Sequence, residues 1–458
     1  MPVERLSYED ARILARERGE IRGHLCKVLL IEGHHDVDAV RAHVAPRLVA
    51  MPRLRDRLIE APLGIAPPAW LPQEDFALAG HVRDGGRAGG DEQLERVVAT
   101  LMEERLDRDR PLWSIDVVAL DEGRTALVLR LHHCMADGAT AMRIARSLLL
   151  DGEETAPPTT TKVPAESAPA DSATSPKGAT LLVDALRWRA ARVMRGGHAR
   201  RGARPSGARR RAARLAAIRR ELTPGARPSQ LARPAGPRRA VAFSSFELEE
   251  LKALGRAAPE RATVNDVVLA AVAGGLRRLL AHTGAEAHEL RVKVPVSLHH
   301  AGETDEANRD SFMVVDLPLD EADPVTLLLA IVAETRERKA AQDAQELDAL
   351  FNDLGRFSRS LDRLAERWAM SPRVFALNVS NVPGPQGELA VMGSRLLEMH
   401  TVAEIAERHA LRVAVVSACG RLSFGLCADA DAVDRLDLVT DGIAAELRAL
   451  RLALRAPR

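Results

Sequence analysis

The residues best suited to chemistry are His132, His133, Asp137 and Gly138, which fall in the segment HHCMADG (132–138), an HHxxxDG pattern. A neutral imidazole accepts a proton from an alcohol near neutral pH when its second nitrogen is fixed in one tautomer. Adjacent side chains on an extended segment point to opposite faces, so only one histidine of such a pair faces a substrate. The Asp and Gly that follow fit a structural role: a carboxylate that locks the turn through a buried ion pair, and a residue without a side chain where backbone packs closely. A bare pair beside a Gly turn reads more readily as two structural histidines. A zinc pair is disfavoured, because neighbouring histidines on a strand diverge and no third ligand stands at helical spacing, so no metal is expected. Cys134 reads as a small packing residue, and the second doublet, His299-His300, as surface loop.

The elements that must position this segment are legible around it. RTALVLRLHH (124–133), behind the turn DEG (121–123), predicts a strand running into the histidines. GATAMRIARSLLL (138–150) predicts an amphipathic helix leaving them, with Met142, Ala145, Leu148 and Leu149 on its apolar face. A strand end followed by a helix start holds side chains rigidly yet lets them reach a cleft. KVLLIEG (27–33) predicts a further strand, and residues 1–152 read as one α+β unit.

The composition then breaks. Residues 153–178 are rich in Pro, Ala, Ser and Thr and bury too little surface to offset chain entropy, which predicts a flexible linker. Residues 181–220 carry arginines throughout and no acidic residue between Asp184 and Glu221; short helical pieces broken at Gly196-Gly197 and Pro205 explain the pattern. From about 236 the chain alternates again. AVAFSSFEL (240–248), LRVKVPVSL (290–298), MVVDLPL (313–319), FALNVSNVPG (375–384), LRVAVVSA (411–418) and LSFGLCAD (422–429) predict strands. TVNDVVLAAVAGGLRRLLA (263–281) predicts a buried helix capped by Thr263, and the chain closes on a helix within 431–455. The expected organisation is a first unit over 1–152, a crossover over 153–235 and a second unit over 236–458.

Bulk properties narrow the class. With 458 residues, 46% hydrophobic and 28% charged, the chain predicts a globular protein of two domains. Aromatics at 3%, with a single Tyr, leave few stacking platforms for single-stranded nucleic acid. Cys26, Cys134, Cys419 and Cys427 are scattered without metal or disulfide spacing and read as reduced thiols of a cytosolic protein. The first twenty residues have no apolar core of a secretory signal, and no run approaches the roughly 20 apolar residues of a spanning helix.

Further motifs stand in order along the chain: LDRDRPLW (106–113), VNDVVLAAVAGGLRR (264–278), VPVSL (294–298), ANRDSFMVVDLPL (307–319), NVSNVPGP (378–385) and SACGRLSFGLCADADAV (417–433). Together with HHxxxDG, this set resembles the bacterial wax ester synthase/diacylglycerol acyltransferase family, from about Leu6 to the C-terminal helix apart from the linker. The resemblance implies an α+β fold of the CoA-dependent acyltransferase superfamily: two similar chloramphenicol-acetyltransferase-like domains with the active-site channel between them, joined by a long crossover. It implies that His133 is the catalytic base and that Asp137 is structural, paired with an arginine. It also implies that Pro111, Leu112 and Trp113, with Asn265 and Asp266, lie near the acyl channel and catalytic centre, and that the segment from Asn378 through Asn381 to Pro385 lines the channel. The sequence departs from the family at GEIRGHLCKVLL (19–30) in place of a PMH-like segment, at Ala307-Asn308-Arg309 in place of GNR, and at Ser417-Ala418 in place of an SY pair.

The chemistry so implied is acyl transfer from acyl-CoA, a co-substrate rather than a cofactor, to diacylglycerol or a long-chain alcohol. It needs no metal. His133 takes the hydroxyl proton, and the oxyanion donor is left open among Asn265, Asn378 and a backbone N–H, a turn or cap role being equally open for each asparagine. The arginine-rich stretch (187–220) has three readings. It is a solvated connector, a peripheral attachment to anionic lipid aided by Leu181, Leu182, Leu186, Trp188 and Met194, or, most weakly, a nucleic-acid surface. The expected setting is cytoplasmic, peripheral to the inner membrane face or lipid droplets, with no nucleic-acid partner. Rival readings are a related acyltransferase acting on another alcohol or a carrier-bound substrate, and a catalytically silent lipid-binding protein.

Overall fold

A computed structural model describes residues 3–152, 180–190, 218–219, 221–222, 224, 229–286, 288–297, 310–341 and 367–455. The predicted linker, His299-His300, Ala307-Asn308-Arg309, Met194 and most of the arginine-rich stretch lie outside the described residues. The strands are β1 (His24–Glu32), β2 (Asp56–Ile59), β3 (Ala69–Pro72), β4 (Val82–Ala88), β5 (Trp113–Leu120), β6 (Arg124–His132) and β7 (Arg239–Glu247). They continue with β8 (Glu289–Ser297), β9 (Asp310–Pro318), β10 (Leu377–Pro383), β11 (Ala390–Val391), β12 (Ser394–Ala403), β13 (Leu411–Ala418) and β14 (Arg421–Asp429).

These strands build two six-stranded sheets, ordered β11-β12-β1-β6-β5-β4 and β7-β14-β13-β10-β8-β9, beside the small hairpin of β2 and β3. Both sheets are mixed, with β4 parallel to β5 in the first and β10 parallel to β13 and β8 in the second. Central strands read as unbroken apolar runs because both of their faces are covered. In β13, Leu411, Val413 and Val415 join the core under the helices Val264–His282 and Asp437–Leu454, while Ala414, Val416 and Ala418 turn into the core of the first unit. Two similar α+β units, packed sheet against sheet, are therefore the architecture that the sequence led one to expect.

One connection does not follow the linear order. β12 leaves the second half of the chain and pairs antiparallel with β1 along Leu25–Ile31, so residues 390–403 complete the first sheet. Arg239 at the start of β7 reinforces the seam from the other side. It donates to the carboxylate of Glu404 at 2.9 Å and to the carbonyl of Glu20, and its N–H reaches the Glu103 carboxylate at 2.7 Å. Burial pushes the Glu404 carboxyl up to about 7, against the pull of Arg239. A cluster containing Cys26, Val28 and Val402 from the first sheet with Val241 and Cys427 from the second fills the space between.

Four helices serve the first unit: α1 (Tyr8–Arg16), α2 (Val37–Arg47), α3 (Asp91–Glu103) and α4 (Gly138–Leu149). α4 starts on an N-cap, Asp137, and buries Ala141, Met142, Ala145, Leu148 and Leu149. It also reaches the second sheet. A Cβ at Gly138 would stand 2.8 Å from Cγ2 of Val382 on β10, and one at Gly384 would stand 3.1 Å from Cε of Met142 and 2.6 Å from the Ser417 carbonyl. α4 and the NVSNVPGP segment thus approach closely enough to exclude a methyl group.

This contact yields a prediction. Val382 is β-branched and stiff, so Gly138→Ala forces either α4 or β10 to move and should destabilise the protein by about 1–3 kcal/mol in urea denaturation. Val382→Ala in the same chain should restore much of that loss, and additive effects of the two changes would refute the contact.

Candidate active site

β6 delivers the histidine pair to the end of the first sheet, and three backbone bonds hold it there. His132 N–H donates to the Leu112 carbonyl at 3.0 Å, His133 N–H to the Gly23 carbonyl at 2.9 Å, and Met135 N–H back to His132 at 2.9 Å. The two side chains then meet different surroundings. His132 is buried; its Nδ1 accepts the Cys134 N–H at 3.1 Å and its Nε2 faces the Glu17 carboxylate at 3.4 Å. An Nδ1 that accepts leaves the ring proton on Nε2, toward Glu17. Glu17 is gripped in turn by Arg108 at 2.6 Å. Burial raises the Glu17 carboxyl, but His132 and Arg108 outweigh it and hold the group below the ordinary carboxylate range. Gly23 lies in the left-handed region (φ 72°), and a Cβ there would fall 2.7 Å from His132 Nε2, so only glycine lets β1 begin beside this ring. His132 is an orienting residue, with Nδ1 hydrogen-bonded to the backbone and Nε2 beside the Glu17 carboxylate.

His133 is the other kind of histidine. Its Nε2 is buried and has no hydrogen-bond partner among the described residues. Burial first, then the charges of Arg412, His132, His24 and Arg16, push its pKa well below the ordinary histidine value. His24, the β1 partner of His132, is itself buried and pushed down to about 3, chiefly by burial. His133 therefore favours the neutral form, and its Nε2 has no hydrogen-bond partner among the described residues, as a general base awaiting a substrate proton requires.

The remaining sequence candidates sort into neighbours and scaffold. Asp137 carries no ion pair among the described residues. Its Oδ1 accepts the Thr140 N–H at 2.6 Å and caps α4. The cation that feels it is Lys27, buried on β1 with Nζ on Thr401 Oγ1 at 2.8 Å and pushed down to about 8 by burial. Gly138 sits at the close approach to Val382. Pro111, Leu112 and Trp113 are all buried. Leu112 packs with Leu14, Trp70 and Cys134, and Trp113 donates Nε1–H to Leu54 at 2.7 Å and stacks on His81 at 4.6 Å. The triplet thus registers β5 against β6 and holds the histidines from behind.

Asp266 is committed to structure. It closes a capping box with Thr263 and accepts the Thr335 hydroxyl at 2.7 Å. Asn265 beside it is half-buried, and neither residue bonds to the HHxxxDG segment. On β10, Asn378 stands opposite Arg412 of β13, and Asn381 opposite Val415. Asn378 Oδ1 is buried without a partner. Its face of β10 is the face that carries Val382 to α4, whereas Asn381 has the opposite parity. Cys134 packs in an apolar cluster, and burial pushes its thiol upward, out of the reactive range.

Glu17, Arg108, Gly23 and Arg412 escaped sequence reading because each acts through a partner distant in the chain. Among the described residues no three His, Cys, Asp or Glu side chains group as a metal site, and no helix is long and apolar enough to cross a membrane.

Comparison with known proteins places the chain in a family. Residues 6–268 match the wax ester synthase/diacylglycerol acyltransferase catalytic domain, and residues 307–451 match the C-terminal domain of the same family. A probable diacylglycerol O-acyltransferase of Mycobacterium tuberculosis is 30% identical over 434 residues, covering 89% of this chain and 86% of its own length. A putative diacylglycerol O-acyltransferase of Mycobacterium bovis is 32% identical over 415 residues, with 83% and 77% covered. In fold, the chain is similar to the wax ester synthase/diacylglycerol acyltransferase of Marinobacter aquaeolei, with a TM-score of 0.67, 23% identity and 99% and 100% of the two chains covered. The first condensation domain of the calcium-dependent antibiotic synthetase shares the fold at a TM-score of 0.62 and 17% identity, with 100% and 97% covered. The chain belongs to the wax ester synthase/diacylglycerol acyltransferase family and is an acyltransferase.

Proposed function

We propose that the enzyme moves a fatty acyl group from acyl-CoA to the hydroxyl of diacylglycerol or a long-chain alcohol, with His133 as general base. The observation that carries the reading is the buried Nε2 of a neutral His133 just past the end of β6, without a hydrogen-bond partner among the described residues. In the reaction the acceptor O–H proton passes to Nε2 and the alkoxide oxygen attacks the thioester carbonyl. The tetrahedral adduct then collapses, the C–S bond breaks, and the CoA thiolate recovers the proton from His133. His132 does not move a proton; tied to Glu17 and Cys134, it fixes the backbone that carries its neighbour.

The test is release of free CoA thiol from palmitoyl-CoA, with dioleoylglycerol and hexadecanol offered separately. His133→Ala should lower acceptor-dependent turnover by about 100- to 10,000-fold while melting like the wild type. Undiminished turnover in that variant would remove His133 from the mechanism. Because the ionised ring is disfavoured, the acidic limb of kcat/KM should lie below the ordinary histidine range, with activity flat from neutrality down to it. A limb at or above the pKa of free histidine would contradict a desolvated base.

We also propose that the first unit rests on anionic lipid, where both substrates and product accumulate. The helical residues 180–190 turn Ala185 and Leu181 inward but leave Val183 47% and Leu186 51% exposed beside exposed Arg187 and Arg189. The loop Ala61–Ala66 packs against Ala185, and from that loop Leu63 projects, 89% exposed at φ 59°. Arg5 ties the two together, bonding Pro67 O at 2.8 Å and Asp184 at 2.7 Å. Apolar tips among arginines suit a headgroup boundary. Co-sedimentation with phosphatidylglycerol vesicles should weaken several-fold in Leu63→Asp/Leu186→Asp and vanish with phosphatidylcholine alone; binding unchanged by the double substitution would reject this surface.

A further inference from the structure

Arg412 is a charged group that the reaction above leaves unused. Among the described residues its one hydrogen bond runs from Nη1 to the Glu404 carbonyl at 3.1 Å, and its Nε is buried without a partner. Among the described residues no carboxylate forms an ion pair with it: the Glu404 carboxylate is turned to Arg239. A buried cation whose nearest carboxylate, Glu404, is bound to another arginine is costly unless something in the working protein uses it.

Its position is fixed by a short run of backbone bonds. Glu404 offers its carbonyl to Arg412 and its N–H to the His24 carbonyl at 3.2 Å, while the adjoining Gly23 carbonyl holds the His133 N–H. Arg412 and His133 are thereby anchored at one corner, where β1 begins, β6 ends and β12 departs. Asn378, opposite Arg412 on β10, shares its face and leaves an acceptor open, Oδ1. An oxyanion needs a donor, and the buried Nε–H of Arg412 is one.

We propose that Arg412 is the oxyanion-stabilising residue: its Nε–H and positive charge receive the thioester carbonyl oxygen as it becomes an oxyanion beside His133. This rests on the acyl-transfer reading. As the alkoxide bonds to the carbonyl carbon, the π pair moves onto the oxygen facing Arg412; on collapse the pair returns, the C–S bond breaks and the thiolate takes the proton held by His133. The same guanidinium keeps the base neutral, together with His132, His24 and Arg16, so one cation serves both ends of the step.

The experiment uses full-length Arg412→Gln and Arg412→Lys with palmitoyl-CoA and the better alcohol acceptor. The Gln variant should lose about 100-fold or more in kcat with KM for palmitoyl-CoA nearly unchanged, the signature of an interaction made only in the transition state. Its acidic limb of kcat/KM should also move to higher pH, since removing the cation makes His133 easier to protonate. The Lys variant, which keeps the charge but not the fork, should recover part of the rate and leave the limb in place. A Gln variant with kcat within about threefold of wild type would overturn the assignment, as would equal losses in Gln and Lys with no movement of the limb. Should Arg412→Gln fail to melt like the wild type, Arg412→Met carries the same comparison. A wild-type enzyme that releases no thiol sinks the acyl-transfer reading itself, whereas an active wild type with an equally active Gln variant sinks only the role of Arg412.

Discussion

The structure around the histidines depends on the ladder that joins β12 to β1. By pairing Leu25 with Ala403 and continuing to Ile31, it carries a strand of the second half into the first sheet and buries β1 on both faces. The chain must then return to the second sheet between Ala403 and Leu411, and it does so at the corner where β6 ends. Glu404, the first residue off the ladder, bonds through its N–H to His24, through its carbonyl to Arg412 and through its side chain to Arg239. Without that crossing, the histidines and the β13 arginine would belong to separate bodies, and no fixed geometry would relate them.

Within this frame two adjacent histidines acquire opposite roles from their surroundings alone. His132 sits between a backbone N–H and a carboxylate, so each nitrogen has a defined task. His133 receives burial and neighbouring positive charge, which penalise its protonated form, and no partner for Nε2. Environments that push similar groups apart are how a fold assigns acid–base roles. The Glu17–Arg108 pair matters here because it holds the His132 ring from one side, while backbone bonds from His132 to Leu112 and from His133 to Gly23 fix the segment that carries the base.

Much of this was legible in the sequence, and the exceptions share a cause. β13 (Leu411–Ala418) and the capped helix beginning at Val264 follow from local periodicity and capping, and the structure returns them within a residue or so. β12 carries no clear strand pattern: SRLLEMHTVA mixes polar residues into both faces, because Thr401 accepts from the buried Lys27 of neighbouring β1 and His400 pairs with Glu398 of its own strand rather than with solvent. Asp137 was expected to find an arginine; the N-terminal N–H groups of α4 are closer and satisfy it without one. Pro111, Leu112, Trp113 and Asp266 are motif residues whose contacts here are packing and capping. Motif spacing reports which residues matter together but not whether they face the cavity or its walls, because that depends on partners such as Glu17 and Leu54 that lie far away in the chain.

The polar atoms left over at the corner have complementary kinds. His133 Nε2 and Asn378 Oδ1 are acceptors and Arg412 Nε is a donor, and all are buried and unpaired by the described residues. Buried polar groups are ordinarily satisfied, since each unmade hydrogen bond costs roughly 1–3 kcal/mol. Unpaired buried atoms also occur elsewhere, as at Ser244 and Arg277, but these three stand where the two units meet, joined by β12 and by the tight approach of Gly138 to Val382. An alcohol donates to a base, and a thioester carbonyl accepts from a cation. The two reactants of an acyl transfer would therefore complete both ends of this set at once, and the desolvation that makes the corner costly when empty is what would make each of those bonds strong in the reaction.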